Sequence, residues 1–211
     1  MSNASYSGNP NWNAQFSVRI NEDHKKEIER LFSEIKGLPE RIYKRAITRV
    51  VSGVKTDVSA AIREVVNIKK KDLDVHIKTK IDAGSGIVST EDIGVPMTLL
   101  GAKQTNKGVS VKIYKKKPAE EFTSAFIATM KSGHKDVWWR KSYESSAGRP
   151  VKKPWKKFGR KYRLPIEKIW GPHIVTILQN EPTMGNVLKM AGERVEKAFE
   201  QEINFELSKL R

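Results

Sequence analysis

AITRVVSGVKTDVSAAIREVVNIKKKDLDVHIKTKI, residues 46–81, changes its apolar period partway along, and that change decides the fold class. Up to Val65 the apolar residues fall three and four apart. Ala46, Val50, Val54, Val58, Ala61, Ile62 and Val65 make one helical stripe, which begins upstream at Ile42. From Asp74 the spacing becomes two, and DVHIKTKI (74–81) alternates as a half-buried strand does. A long helix that hands over to strands predicts an α+β protein.

Upstream, Ile28, Leu31, Ile35 and Leu38 continue the helical stripe, but Gly37-Leu38-Pro39 interrupts it. Proline lacks an N–H and suits a first turn, so two helices are expected, about 22–36 and about 39–66. Gly53, inside the second, is expected to mark a close approach to another backbone, since it costs about 1 kcal/mol relative to Ala. FSVRIN (16–21) reads as a short strand or extended lead-in. Residues 1–15, rich in Asn, Ser and Gly, read as a flexible polar arm ordered only against a partner.

Downstream, SGIVST (85–90), GVSVKIYK (108–115), SAFIATM (124–130) and KDVWWRK (135–141) are short runs bounded by Gly, Asn and Pro, the pattern of an antiparallel sheet. The last two are expected to form a hairpin, with Gly133 taking the positive φ of its turn. Trp138 and Trp139 point to opposite faces of their strand, so one is left exposed or in an interface. Val187, Ala191, Val195, Ala198, Phe199, Ile203, Leu207 and Leu210 predict a C-terminal amphipathic helix of about 26 residues. The expected architecture is α+β: a long N-terminal helix and a C-terminal helix packed on a small antiparallel β-sheet, with an extended basic loop. Residues 16–211 are read as a single domain carrying the basic insertion 142–163.

Lys and Arg number 40 against 24 Asp and Glu, a formal charge of +16, which favours nucleic acid, an anionic membrane or an acidic protein face. Absence of cysteine excludes disulfides and thiolate zinc sites. The N-terminus lacks a secretory pattern and no stretch approaches the ~18 apolar residues of a membrane span, so a soluble chain is expected.

Reactive constellations are sparse. His24, His76, His134 and His173 show no HExxH or HxxxH pairing, and GxSxG is missing. DAGSGIVST holds G-x-G without the rest of a phosphate-binding loop. Glu91-Asp92 and Glu120-Glu121 would suit Mg²⁺ in a nuclease, although adjacent loop carboxylates are commonly just solvated. No catalytic residue, cofactor or metal is expected.

RPVKKPWKKFGRKYRLPIEKIWGP (149–172) concentrates nine Lys and Arg against one Glu before a Pro/Trp/Gly clause. Pro150, Pro154 and Gly159 oppose a helix and predict an extended loop. Lys152, Lys153, Lys156, Lys157, Arg160 and Lys161 are the candidate contacts to DNA or to an acidic partner; a solvated loop without a partner is the third reading. Leu164, Pro165, Ile166, Ile169, Trp170, Gly171 and Pro172 read as a structural clause docking the loop's end, with Trp170 buried and its truncation costing about 3–5 kcal/mol.

Two clauses go further. AFIATMKSGHKDVWWRK (125–141) followed by RLPIEKIWGPHIVTILQN (163–180) and a charged C-terminal helix resembles the prophage minor tail protein Z family of lambda-type tail completion proteins. Residues 46–78 and GVSVKIYK look similar to that family too, and the likeness spans roughly residues 40–210. The polar arm and the PVKKPWKKFGRKY insertion are this sequence's own, so no role is carried over to them.

The resemblance implies a structural virion protein of a bacteriophage or prophage. It implies tail completion at the head-proximal end of the tail, head-tail joining and placement of the genome end, without enzymatic activity. The partners implied are further copies in a ring, expected to be a hexamer, the tail terminator, tail tube and head-connector proteins, and DNA at the genome end. Host cytoplasm during assembly and then the virion would be its location. The alternative from the residues alone is a sequence-independent nucleic-acid-binding module.

Overall fold

A computed structural model describes residues 4–9, 13–19, 21–82, 84–140 and 166–210. The chain read from sequence as one domain divides by its own contacts into two compact units. One runs up to Ile93 and resumes at His173; the other spans Gly94–Pro172.

The first unit holds a four-stranded sheet in the order β1-β2-β4-β3, with β1 Ala4–Asn9, β2 Asn13–Arg19, β3 Ile77–Ile81 and β4 Ser85–Thr90. Every neighbour is antiparallel. Ala14, Phe16 and Val18 of β2 and Gly86, Val88 and Thr90 of β4 are buried, which is the alternation the sequence predicts. The expectation of a flexible arm is corrected over its described residues: Ala4–Asn9 pairs with β2 from Ala4↔Val18 to Asn9↔Asn13. Composition reports what side chains can bury, whereas this ladder is made by backbone groups against a strand already fixed in the core.

Helix α1, Glu22–Phe32, is capped by Asn21, whose side chain accepts from the Asp23 N–H. It ends earlier than expected, and buries Ile28 and Phe32 while Leu31 and Ile35 stay exposed. Phe32, four residues after Ile28, takes the core position that the stripe assigned to its neighbours. Gly37 then turns the chain at φ +76°, a region that favours glycine, and Pro39 enters the first turn of α2, Leu38–Val65.

Helix α2 is the axis of this unit. Ile42, Ala46, Ile47, Val50, Val51, Val54, Val58 and Ile62 are fully buried, each aliphatic one contributing about 1.5–3 kcal/mol. A Cβ at Gly86 would overlap Val51 Cγ2, so that glycine sets how closely the sheet meets α2. A short α3, Lys70–Asp74, buries Leu73, and Ser59 donates to Asp74 at 2.6 Å. The chain returns through α4, Ile174–Leu178, and α5, Glu181–Leu210. Helix α5 lies antiparallel to α2: Arg45, Arg49 and Asp57 meet Glu206, Glu202 and Arg194 in turn. Val187, Ala191, Val195, Ala198, Phe199 and Ile203 of the expected stripe are buried, and Leu207 is half-buried.

The second unit is built from short strands: β5 Gly94–Pro96, a 3₁₀ turn Met97–Leu100, β6 Lys103–Gln104, β7 Gly108–Val111, β8 Glu120–Thr123, β9 Phe126–Thr129, β10 Lys135–Arg140, β11 Ile166–Lys168 and β12 Trp170–His173. They pair as β6-β7-β8, as β11-β10-β9 and as β12-β5. Val95, Met97, Leu100, Val109, Val111 and Val137 make its core. The expected hairpin is β9–β10, turning at Gly133 with φ +79°. No helix among the described residues is long and apolar enough to cross a membrane.

Candidate nucleic-acid interface

Alternation along KDVWWR puts Asp136, Trp138 and Arg140 on one face of β10 and Val137 and Trp139 on the other. Trp139 is 49% exposed, while Trp138 is half-buried and donates its indole N–H to the Ala128 carbonyl at 3.0 Å. One tryptophan in and one out is the outcome the alternation predicts.

Trp138 stands directly across from Phe126 on β9 and from Lys168 on β11, so an aromatic–aromatic–cation row crosses three adjacent strands. At one side the Arg140 guanidinium lies 5.5 Å from the Phe126 ring centroid. At the other the Lys168 ammonium lies 3.5 Å from the Trp170 centroid. The His134 ring meets Trp138 edge-on at 6.5 Å. Cations over ring faces are favourable electrostatically, more so where partly desolvated.

Beside this row, on the same face of β10, Asp136 is fully buried. Its carboxylate meets Lys168 Nζ at 2.6 Å and accepts the Val137 N–H at 2.9 Å, with Thr98 at 3.4 Å. His134 Nε2 lies 3.0 Å from Lys168 Nζ and 3.5 Å from Asp136 Oδ2. An ammonium has only donors, so in this contact the His nitrogen is the acceptor. Lys168 is thus pinned on three sides, its side chain only 11% exposed.

Lys152, Lys153, Lys156, Lys157, Arg160 and Lys161 lie outside the described residues, as do Leu164 and Pro165. What is described is their frame: Arg140 and Ile166, the residues flanking 141–165, are cross-strand partners on β10 and β11. The intervening sequence carries nine Lys and Arg and one Glu.

The docking clause needs one correction. Trp170 is 50% exposed rather than buried, and Ile166 is exposed as well. The close fit is made by its neighbour: a Cβ at Gly171 would come within 2.8 Å of both Leu100 Cδ1 and the Val95 carbonyl. Pro172 is half-buried beside it. The alternation of β12 turns Trp170 toward Lys168 and away from that contact.

Elsewhere, several carboxylates are paired. Glu91 contacts Lys78 and lies 3.6 Å from His76, and Asp92 meets His173 at 3.1 Å. The hydrogen bond from Lys78 holds the Glu91 carboxyl below its usual range, against a smaller opposing effect of burial. His24 stacks on Phe199 with ring centroids 5.3 Å apart. Among the described residues no group of three His, Asp or Glu is placed to hold a metal ion.

Sequence reasoning missed Asp136, Lys168, Arg140 and Phe126. The alternation of KDVWWR could have grouped Asp136 with Trp138 and Arg140, but Lys168 and Phe126 join them only through strand pairing. Compared with protein-family models, with curated proteins and with solved structures, the chain matches none.

Proposed function

We propose that this chain is a structural virion protein of a tailed phage or prophage, a tail-completion or neck component at the head-proximal end of the tail that serves head-tail joining. The observation supporting this reading is the adjacency of the two clauses that carry the resemblance. Ile166–Lys168 of the second clause is hydrogen-bonded to β10 of the first, in the sheet β9-β10-β11. An α+β frame with a long helix on an antiparallel sheet accords with what that resemblance implies.

A ring of copies, six for a hexamer, needs apolar surface beyond one core. Leu31, Met190 and Phe205 are exposed on the helices of the first unit, Ile35 is exposed in the turn between α1 and α2, and together they supply some. The tail terminator, tail tube and head connector are the neighbours proposed.

Deletion of the gene from an inducible prophage tests this. Heads and tails should accumulate unjoined, and the purified protein added to such a lysate should restore joined particles. Normal joining without the chain would refute the reading.

The aromatic–cation row and the +16 charge favour a second reading, a sequence-independent nucleic-acid-binding module. Here Lys152, Lys153, Lys156, Lys157, Arg160 and Lys161 replaced by Gln should weaken DNA binding and flatten its salt dependence, each lost phosphate contact lowering the log–log slope by about 0.9. Unchanged affinity with failed joining would return the segment to a protein partner.

A further inference from the structure

We propose that the face of β9-β10-β11 bearing Phe126, Trp138 and Lys168, together with Trp170 on the neighbouring β12, whose ring Lys168 touches, is a stacking surface for single-stranded nucleic acid. The proposal does not rest on the virion reading; head-tail joining could fail or succeed whatever this face binds.

Three features of the face point to this ligand. The row Phe126, Trp138, Lys168 runs across strands spaced about 4.8 Å apart, so rings on adjacent strands lie within the reach of successive nucleotides. Trp170 keeps half of its surface open although Lys168 is already seated on its ring. Arg140 at the end of the row is exposed and adjoins the most cationic stretch of the chain, which would favour a polyanion over an apolar partner.

Charge accounting separates the roles. Asp136 neutralises Lys168 at 2.6 Å, so Lys168 adds little attraction for phosphate. It is a positioning residue that orients the Trp170 ring, while Arg140 supplies the phosphate contact. Bases in a duplex are stacked on one another and present only edges, so the exposed half of the Trp170 ring selects unpaired bases. Trp139, on the opposite face of β10, is outside the surface and serves as an internal control.

The test uses the full-length protein with a labelled oligothymidine of about 12 nucleotides and a duplex of equal length. Fluorescence anisotropy gives affinity, and quenching of intrinsic tryptophan emission reports stacking. The single strand should bind more tightly than the duplex and quench the emission. Trp170→Ala should weaken single-strand binding by about 5- to 100-fold, Trp170→Phe should keep most of it, and Trp139→Ala should leave it unchanged. Arg140→Gln should weaken binding and lower its salt dependence. Lys168→Met should reduce quenching at Trp170 more than it reduces the salt slope. Equal affinity for strand and duplex, with Trp170→Ala and Trp170→Phe both indistinguishable from the parent, would overturn the proposal. So would loss of self-association by Trp170→Ala with oligonucleotide binding intact, which would make this face a protein contact.

Discussion

Arg194 on α5 grips Asp57 on α2 with two hydrogen bonds, Nε to Oδ2 at 2.6 Å and Nη2 to Oδ1 at 2.8 Å. Its stem crosses the space that a side chain at Gly53 would fill, with Cδ 2.9 Å from that Cβ position. Gly53 was expected to admit a backbone; it admits an arginine. The pair lifts the Arg194 guanidinium further above its ordinary pKa, chiefly through the Asp57 hydrogen bond.

Breaking a buried pair by removing one partner costs about 3–5 kcal/mol, and the 43% exposure of Arg194 lowers this to about 2 kcal/mol for Arg194→Met. Gly53→Ala should then stabilise the Arg194→Met protein by about 1 kcal/mol, the helix-propensity gain, and not the parent. Urea denaturation of the four proteins in the cycle measures this. An equal gain in both backgrounds would show that Arg194 does not set the identity of residue 53.

Gly86 and Val51 set the contact of sheet and helix. Gly86→Ala should cost about 2 kcal/mol by overpacking, and the double variant with Val51→Ala should be less destabilised than the sum of the two singles, because the smaller residue makes room. Simple additivity in thermal or urea melts would argue that the sheet shifts instead.

In the second unit the ranking of Trp170 and Gly171 is reversed from the sequence expectation. Half-exposed Trp170 should cost about 1–2 kcal/mol on truncation to Ala. Gly171→Ala should cost about 2–3 kcal/mol, since the added methyl meets the Val95 carbonyl, a backbone atom that cannot rotate away. A greater loss for Trp170→Ala would return Trp170 to the core.

Acid should loosen the α2–α5 seam. Burial alone would raise the Glu206 carboxyl, but the hydrogen bonds and charges of Lys209 and Arg45 outweigh it and hold the group below its ordinary pKa of 4.5. A depressed folded-state pKa contributes stability that is present above the unfolded value and lost as pH falls through the folded one. Melting temperature should therefore drop below about pH 4.5, and Glu206→Gln should make that drop shallower. A variant with the parent's acid limb would exclude Glu206 as a contributor.

Alkali probes the same end of α2. Burial, followed by Glu29, Glu40 and Glu22, pushes the Tyr43 phenol up to about 12 from 10.0, while its hydroxyl donates to the Lys25 carbonyl at 3.2 Å. A raised folded-state pKa contributes stability that is full below the unfolded value and lost as pH rises through the folded one. Stability should fall between pH 10 and about 12, less so in Tyr43→Phe, with phenolate absorbance as the readout. An unchanged alkaline limb in that variant would dissociate Tyr43 from the transition.

The sequence by itself determined the parts whose signal is local. The stripe from Ile42 to Ile62 specified α2, the alternation Gly86, Val88, Thr90 specified the inner face of β4, and Gly133 specified the turn of the β9–β10 hairpin. Each is a periodicity or a backbone requirement readable within one element, because an element's own geometry decides which residues share a face. Only the tertiary structure decided which elements meet. It joined Asp57 to Arg194 and Asp136 to Lys168, pairs far apart in the chain. It gave Ala4–Asn9 a partner strand through backbone bonds that composition does not encode. It also turned Trp170 outward and Gly171 inward, because a strand alternates its faces but only the packing of its neighbours fixes which face is the inside.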